Sequence, residues 1–183
     1  MIVCFSKNYW PTPKPTLTLL VDEEIFNETG TLPAESRSMD CTYVGKGADF
    51  GPCFKIPGSV MIERKWPADK ESLAVMLRNT RYLFTWDLVS QTNYDAVRCG
   101  AIPVVTRWHP YTKEILNTEI GELPHGEIAV IDGQAKILID PDSFKEKKEK
   151  FLANYLNIAV NNRDRVNSFI HEMDAYFRAQ GDQ

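Results

Sequence analysis

The 183-residue sequence predicts a single α/β domain, in which a Rossmann-like parallel sheet carries helices on both faces. Two observations predict this class. Strand-like and helix-like segments alternate through most of the chain, and residues 101–106 (AIPVVT) are almost entirely apolar, as in the buried centre of a parallel sheet. The 43% hydrophobic and 25% charged residues are typical of a globular protein and argue against disorder.

The first part of the chain predicts a leader and then short strands. Residues 1–15 contain three prolines and predict an extended leader or interdomain linker, so the domain is expected to comprise residues 16–183. β-Forming residues predict strands over 16–22, 41–44 and 59–62, the last two separated by a loop rich in glycine and proline.

The rest of the chain shows a more regular alternation. Asp69, with Ser72 three residues on, and Ser90 are suitable N-caps for two helices, and Gly100 suits the position just after the second. The predicted elements, in order, are a helix over 69–79, a strand over 81–85, a helix over 90–99, a strand over 101–106, a short helix over 111–117, strands over 127–131 and 136–139, and helices over 142–160 and 163–179.

Charge and composition argue against several classes of protein. A formal net charge of −4 does not favour nucleic acid as a partner. No apolar run approaches the roughly 20 residues of a transmembrane segment. The four cysteines form no C-x-x-C pair, and no histidine stands at zinc-ligand spacing from them, so we expect no metal site. With no signal-peptide pattern at the N-terminus, scattered thiols predict a reducing, cytoplasmic location.

Ligands of open parallel sheets bind outside the carboxyl ends of the strands. That rule marks three loops, which contain Gly45, Lys46 and Gly47; Trp86, Asp87 and Ser90; and Arg107, Trp108 and His109. In the first, the two glycines let backbone amides approach a phosphate and Lys46 supplies charge. The alternative is a flexible turn with a solvated lysine.

The helix predicted after residues 81–85 begins with a cluster of polar residues. Ser90, Thr92, Asn93 and Asp95 lie in or near its first turn, where free N–H groups and the positive dipole suit a phosphate or a polyol. Asp87 precedes Asp95 by eight residues, so both carboxylates could reach one ligand. Capping is the equally supported alternative, with Ser90 or Asp87 holding the helix start and Asp95 favouring the dipole.

The order of strand, acidic loop, short helix and apolar strand resembles the donor-binding half of GT-B glycosyltransferases. Many retaining members carry an E-x7-E motif that is followed by alanine, glycine and a Pro-Val strand. Here Asp87 and Asp95 have that spacing, with Ala96, Cys99-Gly100 and Pro103-Val104-Val105 after them. Both acids are aspartate, and one extra residue separates glycine from proline. The resemblance covers about residues 41–120 well and the final helices loosely.

The resemblance implies a role for each matching residue. Asp95 would hold the ribose of the nucleotide, and Asp87, as the catalytic acid of the motif, would face the donor sugar. Ser90 and Thr92 would face the diphosphate. Lys46, flanked by Gly45 and Gly47, would neutralise the leaving diphosphate. The donor would be a nucleotide-diphosphate sugar, with no metal or other cofactor, and the setting would be polysaccharide biosynthesis.

GT-B enzymes have two Rossmann-like domains, and this chain has room for one. We therefore expect the chain to be a fragment, or a subunit that works with a separate or truncated N-terminal acceptor domain. We expect it to be inactive on its own. One alternative is a non-catalytic nucleotide- or sugar-binding regulatory module. Another is a flavodoxin-like interaction domain whose acids only cap helices.

Overall fold

The structure is a computed structural model that describes residues 22–46, 53, 55–63, 65–87, 90–106, 117–118, 121–132 and 134–181. The described residues do not include the predicted leader, residues 16–21 of the predicted strand over 16–22, Gly47, residues 107–109 of the third predicted loop, or residues 111–116 of the predicted short helix. The described strands and α-helices are β1 (Met39–Tyr43), β2 (Val60–Ile62), α1 (Lys70–Asn79), β3 (Thr80–Thr85), α2 (Gln91–Arg98), β4 (Ile102–Val105), β5 (Asn117–Thr118), β6 (Gly121–Glu122), β7 (Gly126–Ile131), β8 (Gln134–Leu138) and α3 (Pro141–Gly181).

Six strands form one sheet in the order β2-β1-β3-β4-β7-β8. All neighbours pair in parallel except β7 and β8, which form an antiparallel hairpin at one edge. β5 and β6 pair separately. The chain runs from β1 outward to β2 and then returns past β1 to β3, so the strand order reverses between β1 and β3. This is the topological switch point, where open α/β sheets bind ligands.

The predicted Rossmann-like α/β class is confirmed. β4 is the strand expected at the sheet centre, with Val104 and Val105 fully buried. The right-handed crossovers usual in such sheets predict that α1 and α2 lie on the same face. α1 and α2 contact each other, and Phe151 of α3 stacks on Tyr94 of α2 with ring centroids 5.7 Å apart.

Both predicted N-caps are confirmed. The Asp69 carboxylate accepts a hydrogen bond from the Ser72 N–H at 2.6 Å, and the Ser90 hydroxyl accepts one from the Thr92 N–H at 3.1 Å. Gly100 follows α2 with a φ of +75°, the left-handed conformation that ends many helices. These caps fix where α1 and α2 begin, and therefore which residues face the carboxyl edge of the sheet.

Two expectations about the later part of the chain were wrong. The predicted helices over 142–160 and 163–179 form one continuous helix, α3. No glycine or proline stands between residues 142 and 180, and the two asparagines at 161–162 lower helix propensity only slightly. The last residue of the predicted short helix, Asn117, begins the strand β5 instead.

Candidate functional site

The loops that follow β1 and β3 meet at the switch point. The Trp86 N–H donates to the Tyr43 carbonyl at 2.9 Å, which continues the pairing of the two strands past their ends. One step further, the backbone N–H of Lys46 donates to Oδ2 of Asp87 at 2.8 Å. The structure therefore brings together two segments that the sequence analysis selected independently.

Gly45 allows this close approach. Its φ is +51°, a backbone conformation that residues other than glycine rarely adopt. A Cβ placed there would lie 2.5 Å from Oδ2 of Asp87 and 2.7 Å from Cε1 of the Tyr43 ring. Any larger residue would push the Asp87 carboxylate away from Lys46, so glycine is required for both backbone and steric reasons.

Two side chains hold the main chain at Asp87 in place. Its carbonyl oxygen accepts hydrogen bonds from Nδ2 of Asn93 at 2.8 Å and from the Thr85 hydroxyl at 3.0 Å. Asn93 is fully buried in the first turn of α2, and Asp87 is only 7% exposed. The first turn of α2 is thus tied directly to the loop after β3.

The sequence places Asn93 among the polar residues at the start of this helix, but its hydrogen bond to the Asp87 carbonyl was not predicted. A signal was present, because Asn93 stands four residues before the buried Val97 and so lies on the apolar side of α2. A polar residue on a buried helix face needs a hydrogen-bond partner. The partner here is the backbone of the predicted site.

The start of α2 uses several of its own hydrogen-bonding groups. The Thr92 N–H is taken by the Ser90 hydroxyl, and the Asn93 N–H donates to the Ser90 carbonyl at 3.1 Å. Ser90 is itself only 7% exposed. The capping interpretation of Ser90 is therefore confirmed, and what α2 offers a ligand beyond its cap is chiefly the positive end of its dipole.

Replacing the Ser90 cap gives a first prediction. Ser90→Ala is expected to lower the free energy of unfolding by about 0.5–2 kcal/mol, because the Thr92 N–H loses its partner. Ser90→Gly is the matched variant and should cost only a few tenths of a kcal/mol. Urea denaturation of both variants measures the difference, and equal losses would show that the cap is not what Ser90 contributes.

Asp95 lies in a different environment from Asp87. It is 6% exposed, and its Oδ1 accepts a hydrogen bond from Nε2 of Gln91 at 3.4 Å. Burial raises its pKa to about 7, an effect only partly offset by the Gln91 hydrogen bond and the charge of Lys70 at the start of α1. The carboxylate of Asp95 is hydrogen-bonded within α2, whereas that of Asp87 is hydrogen-bonded to the Lys46 amide.

The structure thus groups the predicted site residues in three ways. Gly45, Lys46 and Asp87 form one contact cluster, and Ser90 and Thr92 form the cap next to it. Asp95 is buried, and its carboxylate accepts a hydrogen bond from Gln91 of the same helix. The ligand roles implied by the sequence resemblance stay predictions for all of these residues.

In the part of the chain that the structure describes, no group of three or more histidine, cysteine, aspartate or glutamate side chains is arranged to hold a metal ion. Cys41, Cys53 and Cys99 are free thiols, and burial raises the pKa of Cys41 and, to about 12, that of Cys99. A thiol with so high a pKa is a poor nucleophile at neutral pH. None of the described helices combines the length and apolar character needed to cross a membrane.

Comparison with known proteins identifies no relative: no family model matches the chain, and no curated protein and no solved structure matches it either. What can be inferred about function therefore comes from the motif and from the geometry around Lys46 and Asp87.

Proposed function

We propose that the junction of the loops after β1 and β3 binds the diphosphate of a nucleotide-diphosphate sugar. The chain would be the donor-binding domain of a GT-B glycosyltransferase that transfers the sugar to a glycan or other acceptor. The main support is the hydrogen bond from the Lys46 N–H to Asp87, because it unites the two predicted donor loops at the switch point.

Each group has a chemical task in this proposal. A nucleotide diphosphate leaves the sugar only if its growing negative charge is stabilised. The Lys46 ammonium and the positive end of the α2 dipole supply that stabilisation, and Gly45 lets the backbone approach the phosphates. Asp87 contacts the donor sugar. Asp95 holds the ribose, which requires displacement of the groups that leave it only 6% exposed.

The acceptor and the group that deprotonates it would come from a second domain, separate from this chain. We therefore propose that the isolated chain binds a nucleoside diphosphate and does not transfer sugar. A non-catalytic nucleotide- or sugar-binding module is the second candidate. The hydrogen bond from the Lys46 N–H to Asp87 favours this second candidate. A catalytic role for Asp87 would require its carboxylate to leave the Lys46 amide.

The proposed setting follows from the chemistry of the chain. Three described cysteines are free thiols, which suits a reducing compartment such as the cytoplasm. The net charge of −4 favours a small-molecule ligand over nucleic acid. Synthesis of polysaccharides from nucleotide sugars is the process that we propose for it.

Calorimetric titration with UDP, GDP and ADP tests the proposal. The wild-type chain should bind at least one of them, and Lys46→Ala should weaken that binding by about 1–3 kcal/mol, the usual contribution of a charge-assisted hydrogen bond. Lys136→Ala is the matched control, because Lys136 is exposed on β8, at the edge of the sheet and four strands from β1. It should bind like the wild type.

Two results would contradict the proposal. One is the absence of saturable binding by any of the three nucleotides. The other is equal weakening in both lysine variants, which would indicate a general charge effect. Sugar transfer by the isolated chain, above a Lys46→Ala control, would show that no second domain is needed.

A further inference from the structure

The backbone N–H of Lys46, which the proposed ligand would bind, already donates a hydrogen bond to the Asp87 carboxylate. The Lys46 N–H is 2.8 Å from a carboxylate oxygen of Asp87, and that side chain is almost completely buried. A carboxylate and a phosphate compete for the same N–H group, because both are anionic acceptors of short, charge-assisted hydrogen bonds.

We propose that Asp87 and residues 45–46 form a carboxylate latch, which is closed in the ligand-free protein and opened by a diphosphate. The diphosphate binds by displacing the Asp87 carboxylate from the Lys46 amide. This inference rests on the proposed function, since it concerns the same site, and it adds how the site is regulated.

The geometry of Gly45 shows that the latch closes tightly. With a φ of +51° the loop turns so that its Cα faces the Asp87 side chain, leaving no room for even a methyl group. The atom nearest to the position of an added Cβ is Oδ2 of Asp87, at 2.5 Å, so rotation of the Asp87 side chain removes the closest of these contacts and leaves those with the Tyr43 ring.

The main chain around Asp87 is anchored independently of the latch. Asn93 and Thr85 hold its carbonyl oxygen, and the Trp86 N–H is held by Tyr43. Rotation of the Asp87 side chain away from the Lys46 amide is therefore compatible with keeping these hydrogen bonds and the pairing of β1 with β3.

The chemistry of the ligand decides whether the latch opens. A diphosphate carries several negative charges that are attracted to the Lys46 ammonium and the α2 dipole, and these interactions offset the loss of the Asp87 contact. A nucleoside or a free sugar lacks that charge and leaves the latch closed. The carboxylate of Asp87 thus becomes available to a sugar only when a diphosphate is present.

Inorganic pyrophosphate is the probe that tests the latch. Removing the competing carboxylate with Asp87→Ala is expected to tighten pyrophosphate binding by about three- to tenfold, the range of one net hydrogen bond. Asp87→Asn retains the shape of the side chain and should change affinity in the same direction by less. Titration calorimetry gives the affinities, and the NMR signal of the Lys46 amide reports the displacement directly.

A glycine pair supplies the steric control. Gly45→Ala should displace the carboxylate without removing its charge, so the Lys46 amide should exchange faster with solvent. Gly58→Ala is matched to it, because Gly58 has a φ of +80° and nothing within 4 Å of an added Cβ. It imposes a similar backbone strain and should leave both the Lys46 signal and pyrophosphate affinity unchanged.

The outcomes separate the latch from the proposed function. Weaker pyrophosphate binding in Asp87→Ala overturns the latch, because Asp87 would then be a permanent support of the site. If nucleoside diphosphates still bind in that case, the proposed function stands. If Asp87→Ala tightens pyrophosphate binding but no nucleotide binds better than pyrophosphate, the latch stands and the nucleotide proposal fails. No pyrophosphate binding by any variant overturns both.

Discussion

Arg37→Ala is expected to lower the free energy of unfolding by about 3–5 kcal/mol, the largest loss that we predict for one substitution. Arg37 is only 7% exposed, and its guanidinium donates to three backbone carbonyls, those of Leu32 at 2.7 Å, Thr80 at 2.9 Å and Cys99 at 3.2 Å. Alanine would leave the buried Thr80 and Cys99 carbonyls without their donor, each at a cost of about 1–3 kcal/mol, and the partly buried Leu32 carbonyl at a smaller cost.

The position of Arg37 explains why so much depends on it. It connects the segment before β1 to the start of β3 and to the end of α2. Burial lowers its pKa, while Glu28 opposes that shift, so the charge is retained at a cost that the three hydrogen bonds offset. Lysine cannot reproduce the planar fork of donors, and Arg37→Lys should recover only part of the loss.

Arg81→Ala is the matched control. Arg81 pairs with Asp40 at 2.9 Å, but its side chain is 36% exposed, and such pairs contribute about 0–1 kcal/mol. Denaturant unfolding of the two alanine variants should differ by several-fold in the free energy lost. Equal small losses would contradict the role assigned to Arg37.

Asp95→Asn is expected to raise the free energy of unfolding at pH 8 by about 2–4 kcal/mol. A tenfold change in proton affinity corresponds to about 1.4 kcal/mol, and the expected gain is reduced because the folded protein relaxes around the charge. Burial raises the pKa of Asp95 from 3.8 to about 7 in the folded protein. At pH 8 the folded protein therefore holds a buried, ionised carboxylate, which lowers the free energy of unfolding. Asparagine removes the charge and keeps an oxygen that can accept from Gln91.

The sign of the pH dependence follows from the direction of that shift. Because the folded state holds the Asp95 proton more tightly than the unfolded state, this group lowers stability as pH rises from about 4 to about 7. The gain from Asp95→Asn should therefore vanish near pH 4 and reach its full size above pH 7. Melting curves between pH 4 and pH 8 measure it, with the exposed Asp164→Asn on α3 as control.

The same variant bears on the ribose role implied by the sequence. If Asp95 contacts the nucleotide, Asp95→Asn weakens nucleotide binding by roughly 1–3 kcal/mol while the protein becomes more stable. If Asp95 does not contact the nucleotide, the stability of the protein rises and its affinity for the nucleotide is unchanged. A loss of stability at pH 8 would contradict the burial effect itself.

Features that depend on neighbouring residues could be predicted from the sequence. The Ser90 and Asp69 caps, the αL glycine at Gly100 and the buried strand over 101–106 each depend on a few adjacent positions, and all four are confirmed. The carboxyl-edge rule also predicts that the loops containing Lys46 and Asp87 lie at the same edge of the sheet.

Features that depend on register or on distant packing could not be predicted. The contact between Lys46 and Asp87 joins residues 41 apart in sequence and depends on the pairing of β1 with β3. The spacing of Asp87 and Asp95 suggested one shared ligand, but how deeply Asp95 is buried depends on tertiary packing that the spacing does not reveal. The continuity of α3 was missed because a pair of asparagines is too weak a signal to end a helix.

The central claim is that a nucleoside diphosphate binds at the junction of the loops after β1 and β3. The most direct test is a titration of isotope-labelled protein with UDP, GDP and ADP, followed by the backbone amide signals in NMR spectra. We predict saturable shifts that are largest at Gly45, Lys46, Asp87 and the first turn of α2. The absence of saturable shifts, or shifts that are largest at the β7–β8 hairpin, would contradict it.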